Sequence, residues 1–164
     1  MKSKDINLSA WLRTNGEQGR TIELLSHDNP KFPFLLKEIS SAPAEIYTLG
    51  NLPDDSPCQG QSTGGPKIAI VGTRKATSSG CLIAKQLAKS LCEAGVIIVS
   101  GLAMGIDTAA HEGAVAANSQ TIAVLGNGID EIYPRQNENL AKKILEFNGA
   151  IISEYPPKTQ SLPY

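Results

Sequence analysis

The stretch Lys67–Gly80, KIAIVGTRKATSSG, decides how the rest of the chain is read. An apolar run rich in Ile and Val breaks at Gly72, passes through a basic, hydroxyl-bearing loop and enters a helical pattern. Strand, loop and helix start in that order aim backbone N–H groups and the positive end of a helix at an anion. The expectation is a phosphate-bearing ligand at this loop. Gly72 allows close backbone approach, Thr73 offers a hydroxyl, and Arg74 can clamp a phosphate through two N–H groups where Lys75 acts as a point charge. Ser78 or Ser79 is the expected N-cap of the helix. The loop matches neither G-x-G-x-x-G nor a P-loop ending in Gly-Lys-Ser/Thr, so triphosphate hydrolysis by a Walker mechanism has no support.

Downstream the pattern is regular. Strands are expected at Lys67–Val71, Val96–Ser100, Thr121–Leu125 and Ala150–Ser153, each near-continuously apolar. Between them fall three helices. The first, Ser79 to Ala94, carries Ile83, Leu87 and Leu91 as one stripe, with Ala84, Ala88 and Cys92 beside it and Gly95 as its C′ residue. The second is alanine-rich and runs from Asp107 to Ala117; the third runs from Asn137 to Asn148 with Leu140, Ile144 and Phe147 inward. Buried strands alternating with helices imply right-handed crossovers and an α/β, Rossmann-like, doubly wound parallel sheet covered on both faces. Ligands of such sheets lie outside the carboxyl ends of the strands. The loops at Gly72, Gly101, Gly126 and Ser153 share that edge.

Residues 1–66 read as an N-terminal appendage and linker, and residues 67–164 as the Rossmann-like domain. Leu8, Trp11 and Leu12 sit at helical spacing after Asp5, and Asn15-Gly16 would end that helix. From Thr21 to Asn51 come an apolar run, a turn at Asp28-Asn29-Pro30, a helical turn or two with Leu35, Leu36 and Ile39, and a strand from Ile46 to Leu49. His27 reads as a solvated or turn-bonding residue. Pro53–Pro66, with three Pro, three Gly and no aliphatic side chain, is the linker.

The 164 residues suffice for one domain with an appendage and a sizeable core. Net charge is −1, so a nucleic-acid role must rest on a local basic patch. Residues 67–118 hold five basic and three acidic side chains, against six and eight in residues 1–66. Cys58, Cys81 and Cys92 are odd in number and lack C-x-x-C spacing, which argues against a disulfide framework or zinc site and for a reducing, cytoplasmic setting. No run approaches the roughly 18 apolar residues of a membrane span, and the N-terminus lacks a signal-peptide core.

The second loop, Gly101-Leu102-Ala103-Met104-Gly105, has two glycines that permit backbone contacts a side chain would block. Met104 either lines a pocket or fills a gap. Asp107 is expected to cap the next helix and to bond His111 one turn on, which favours a structural His111 over a general base. The third loop, GNGIDEIYP, brings Asn127, Gly128, Asp130 and Tyr133. Tyr133 is the candidate for stacking a base, with packing over the sheet edge as the alternative.

AIVGTR (Ala69–Arg74), VSGLAMGIDTAAH (Val99–His111), TIAVLGNGIDEIYP (Thr121–Pro134) and ISEYPP (Ile152–Pro157) resemble, in order and spacing, the motifs of the DprA/Smf family of DNA-processing proteins. Pro30–Asn51 is similar to that family's approach to its Rossmann domain. The resemblance covers about residues 21 to 157. It implies binding of single-stranded DNA and loading of the recombinase RecA during natural transformation, with no catalytic residue, cofactor or metal. By that resemblance the Gly72-Thr73-Arg74 turn and the Gly101–Gly105 loop hold DNA phosphates, and the candidate DNA- or phosphate-binding residues are Gly72, Thr73, Arg74, Lys75, Ser78, Gly101, Leu102, Ala103, Gly105, Asn127 and Tyr133. The family's domain continues past SEYPP with a loop rich in Arg and Asn, further strands and a glycine-rich helix start, whereas this chain stops at Tyr164. An uncovered apolar edge or face, and with it self-association or a covering partner, is the expectation. The competing reading is a Rossmann-like small-nucleotide sensor or nucleotide phosphoribohydrolase, although the P-G-G-x-G-T-x-x-E run of those enzymes is absent. A third is a folding or assembly module.

Overall fold

The computed structural model describes residues 21–53 and 64–161. The expected helix around Leu8–Leu12 and most of the linker lie outside them. The chain forms β1 (Glu23–Ser26), α1 (Phe34–Lys37), β2 (Glu45–Gly50), β3 (Lys67–Ala69), α2 (Ser78–Glu93), β4 (Ile97–Ser100), α3 (Ile106–Ala116), β5 (Thr121–Leu125), a 3-10 turn at Arg135–Asn137, α4 (Glu138–Glu146) and β6 (Ala150–Ser153). The described strands make one six-stranded sheet in the order β1-β2-β6-β5-β4-β3. β3, β4, β5 and β6 are parallel neighbours. β2 adds antiparallel to β6 with Leu49 opposite Ile151, and β1 adds antiparallel to β2. Residues expected upstream of the linker therefore extend the same sheet by two strands.

The α/β, Rossmann-like arrangement stands, but the expected doubly wound, all-parallel sheet is corrected: the sheet is mixed and the helices that follow its parallel strands lie on one face. The parallel strands succeed one another without a reversal, so right-handed crossovers place α2, α3 and α4 on one face. Register carries that face across the sheet: Ile98 lies opposite Thr121, Ala123 opposite Ile151, and Ile151 opposite Leu49. Two core clusters follow. Ala88, Cys92, Ile98, Ala110 and Ala114 join α2 and α3 to β4, while Leu49, Ala123, Leu125, Ala141, Ile144, Leu145 and Ile151 join α4 to β5, β6 and β2. On the opposite face Val124 is partly exposed. A third cluster, Leu25, Phe32 and Ile46, anchors β1 and α1 to β2.

Of the two adjacent rows expected on α2, the smaller one faces the core. Ala84, Ala88 and Cys92 are buried, whereas Ile83 is 64% and Leu87 51% exposed. The cause is the approach of α3. A Cβ on Gly113 would strike the Lys85 carbonyl oxygen and come within 2.8 Å of the Ala88 Cβ, so the seam admits only small residues. Burial on α4 shifts from the expected set, to Ala141, Ile144 and Leu145, with Leu140 and Phe147 partly exposed. Among the described residues no helix is long and apolar enough to cross a membrane.

Candidate functional site

Three loops leave the carboxyl ends of β3, β4 and β5 and meet at one mouth. Arg74, Gly101, Ala103, Met104, Gly126, Asn127, Tyr133, Pro134 and Ser161 line a cavity there of about 100 Å³. Arg74, Met104 and Tyr133 are exposed, Tyr133 at 55%. Of the expected site residues, the structure brings Arg74, Gly101, Ala103, Asn127 and Tyr133 to this cavity.

The first loop is built against the second. Ile106 N–H donates to the Thr73 carbonyl at 3.3 Å. A Cβ on Gly72 would lie 2.7 Å from Ile106 Cγ1, and one on Gly105, whose φ is +80, would strike the Thr73 carbonyl oxygen. Lys75 N–H donates to Thr73 Oγ1 at 3.2 Å, a turn that leaves the Thr73, Arg74 and Lys75 side chains exposed. The N-cap of α2 is corrected from Ser78 or Ser79 to Thr77, whose Oγ1 accepts from Gly80 N–H at 3.1 Å. Ser78 is exposed in the first turn of that helix. Thr77 sits three residues before the amide it caps, the spacing that could have identified it.

Asp107 does not cap α3 and does not bond His111. Gly105 is the N-cap residue, without a side-chain cap bond. The Asp107 carboxylate is buried; Oδ1 accepts from Gly72 N–H at 3.3 Å and Oδ2 from Gly101 N–H at 3.1 Å. The two glycine amides thus meet an internal acceptor. His111 Nδ1 lies 2.9 Å from Thr121 Oγ1, whose own proton goes to the Ile98 carbonyl at 2.7 Å. That assignment leaves the hydroxyl as acceptor and puts the imidazole proton on Nδ1. Among the described residues His111 Nε2 is the buried side-chain polar atom without a hydrogen-bond partner. Burial lowers its pKa to about 4, against a backbone contact at Ser100 that pulls the other way.

The second loop has supports that the sequence did not announce. Leu102 is fully buried at φ 55, and its carbonyl accepts from Asn137 Nδ2 at 2.8 Å. Asn137 Nδ2 also reaches Thr108 Oγ1 at 2.9 Å, and that hydroxyl donates to the Ala103 carbonyl at 2.6 Å. An Asn just ahead of a helix reads as a cap; its partners lie some thirty residues upstream and leave no local signal. In the third loop Asn127 is buried, and its Nδ2 donates to the Gly128 and Glu131 carbonyls at 3.0 and 2.7 Å. Its side-chain amide therefore shapes the loop. The segment after β6 folds back on it: Gly128 N–H donates to the Thr159 carbonyl at 2.8 Å, and Lys158 N–H to Asp130 Oδ1 at 2.7 Å. Asp130 thereby receives a role that sequence left open.

A larger groove of about 440 Å³ runs between α2, α3 and α4, lined by Lys85, Glu112, Asn137 and Lys143 among others. Its Lys85 is paired with Glu112 at 2.9 Å.

The fold and mouth define a Rossmann-like α/β protein that presents an exposed guanidinium and an exposed phenol at the carboxyl edge of its parallel strands. Comparison with known proteins makes the assignment particular. The sequence pattern of the family described as DNA recombination-mediator protein A matches residues 23–164, and the chain belongs to that family. It is 43% identical over 150 residues to Protein Smf of Synechocystis sp., covering 92% of this chain and 36% of that protein. It is 38% identical over 144 residues to DNA processing protein DprA of Bacillus subtilis, covering 88% of this chain and 45% of the relative. Among solved structures, DprA of Streptococcus pneumoniae superposes with a TM-score of 0.71 at 32% identity over 92% of this chain and 50% of that one. DNA processing protein A of Helicobacter pylori, a structure concerned with its single-stranded DNA binding mode, gives 0.70 at 28% identity over 87% and 60%. The chain thus spans 36% to 45% of the length of these curated relatives and half to three-fifths of the solved ones.

Proposed function

We propose that this chain binds single-stranded DNA across the loop edge, without catalysing a reaction. The observation that carries the reading is the convergence of Arg74 and Tyr133 on one shallow mouth, in a chain of this family. A guanidinium meets phosphate and a ring meets a base face, the pairing that sequence-tolerant single-strand binders use. A cavity of about 100 Å³ is far below the roughly 300 Å³ and upward of pockets that enclose small ligands, which favours a polymer laid across the edge over a mononucleotide. Among the described residues that line the mouth there is no His, Asp, Glu or Lys, which is in keeping with a binding role.

Thr73, Arg74, Lys75 and Tyr133 are the side chains assigned to the DNA, with Ser78, Gly101, Ala103 and Gly105 shaping the edge. Fluorescence anisotropy with an oligonucleotide at two salt concentrations tests this. Affinity is expected to fall with salt and to drop about tenfold or more in Arg74→Ala, as for a charge-assisted contact worth about 1.5–3 kcal/mol. Salt-insensitive binding, full affinity in the variant, or thermal stabilisation by a mononucleotide alone would overturn the reading.

Delivery of the bound strand to RecA in the cytoplasm is the further role that family membership suggests, tested by RecA filament formation on the pre-bound oligonucleotide. Self-association is supported by Ile68 and Val71 at the β3 edge and Ile83 and Leu87 on α2, all exposed. Sedimentation showing a monomer at high concentration would remove it.

A further inference from the structure

We propose that Asp107 is the positioning residue of the DNA-binding edge, holding the Gly72–Arg74 turn in the place from which Arg74 reaches a phosphate. The proposal rests on the single-stranded DNA reading above. Asp107 is 7% exposed, and among the described residues it takes part in no ion pair. Its two oxygens accept from two backbone amides, Gly72 and Gly101, that end different strands. One carboxylate thus ties the exit of β3 to the exit of β4. The approach is close enough to require glycine, because a Cβ on Gly101 would sit 2.7 Å from Oδ2. Beside it, the Thr73 carbonyl receives Ile106 N–H. The backbone on the N-terminal side of Arg74 is therefore seated on the first turn of α3 through Asp107 and Ile106.

Two consequences oppose each other. A carboxylate close to an anion site repels phosphate, while the same carboxylate fixes the turn that carries the guanidinium. Geometry is the larger effect if Asp107 works as proposed, because the side chain is turned inward onto N–H groups and away from the mouth. Asp107→Asn separates the two. It removes the negative charge and keeps the size, but its Nδ2 confronts one of the glycine N–H groups with a second donor.

The test uses the full chain and a fluorescent oligonucleotide. Asp107→Asn is expected to weaken binding at least tenfold, and Gly101→Ala, which keeps the charge but crowds Oδ2, to weaken it as well. Combined with Arg74→Ala, Asp107→Asn is expected to add less than twofold, since its effect passes through Arg74. A residue that only stabilises the fold would add its full penalty. The Gly72 and Gly101 amide resonances of the 15N spectrum are expected to shift in Asp107→Asn, with other core amides in place. Equal or tighter binding by a folded Asp107→Asn, or additive penalties in the double variant, would overturn the proposal alone. Unchanged affinity in Arg74→Ala by itself would remove the binding reading and this proposal with it.

Discussion

His111 makes stability depend on pH in a direction the structure dictates. The imidazole is fully buried between α3 and β5, and desolvation lowers its pKa from 6.5 to about 4. A base whose folded pKa lies below its unfolded value is neutral in the fold and binds fewer protons there than in the unfolded chain. Stability from this group is therefore full above pH 6.5 and is lost as pH falls from 6.5 toward 4. At about 1.4 kcal/mol per unit, the whole effect is of order 3 kcal/mol, with most of it gone at pH 4.5. Carboxylates titrate in the same range, so the informative quantity is a difference. Urea unfolding of the wild type and of His111→Gln, which cannot take up the proton, should give curves of stability against pH that converge on acidification. The wild-type advantage at pH 7.5 should shrink by about 2–3 kcal/mol at pH 4.5. Parallel curves would refute the claim that a neutral, desolvated imidazole is what the fold holds.

The seam between α2 and α3 predicts that Gly113→Leu destabilises by about 1–3 kcal/mol or more, read as a lowered urea midpoint, because the backbone of α2 must move. The outward row of α2 predicts that Ile83→Ser shifts monomer stability by no more than about 0.5 kcal/mol, whereas Ile144→Ala costs about 2–5 kcal/mol. A large loss in Ile83→Ser at low protein concentration would mean that this face of α2 is covered after all. Asn137→Ala leaves the Leu102 carbonyl buried without its donor and should cost about 1–3 kcal/mol by thermal or urea unfolding.

Much of this architecture is written in local pattern. IIVS, TIAVL and AIIS are short, β-branched apolar runs spaced between helical patterns, which marks them as strands of one sheet, and the helix between Gly72 and Gly95 begins and ends within one residue of its expected bounds. What local pattern could not carry is pairing at a distance. β2 joins the sheet because Tyr47–Gly50 lies in register with Ala150–Ser153, a match set by about a hundred residues of intervening chain. Which row of α2 faces inward is hidden for a related reason. Ile83, Leu87 and Leu91 and Ala84, Ala88 and Cys92 are adjacent rows on one helix, and hydrophobicity alone selects the larger row. The facing Gly113 selects the smaller one, because close approach of two helices depends on the absence of side chains.

The same competition between local rule and distant partner changes what the glycines of the mouth are for. Placed after strands and ahead of helices, Gly72 and Gly101 read as backbone donors for a ligand, by the general logic of anion sites at helix starts. Their N–H groups instead meet Asp107, and the side-chain amide of Asn127 meets two backbone carbonyls. These polar groups are satisfied within the protein. On the function proposed above, recognition falls to the exposed Thr73, Arg74, Lys75 and Tyr133 side chains, carried by loops whose Gly72 and Gly101 amides are already bonded to Asp107. Such an edge is rigid before the ligand arrives, which lowers the ordering cost of binding, and it offers charge and a ring face in place of base-edge donors. That combination suits the proposed single strand, held by its phosphates and stacked bases irrespective of sequence, and on that proposal the guanidinium of Arg74 and the carboxylate of Asp107 carry the affinity that the two variants test.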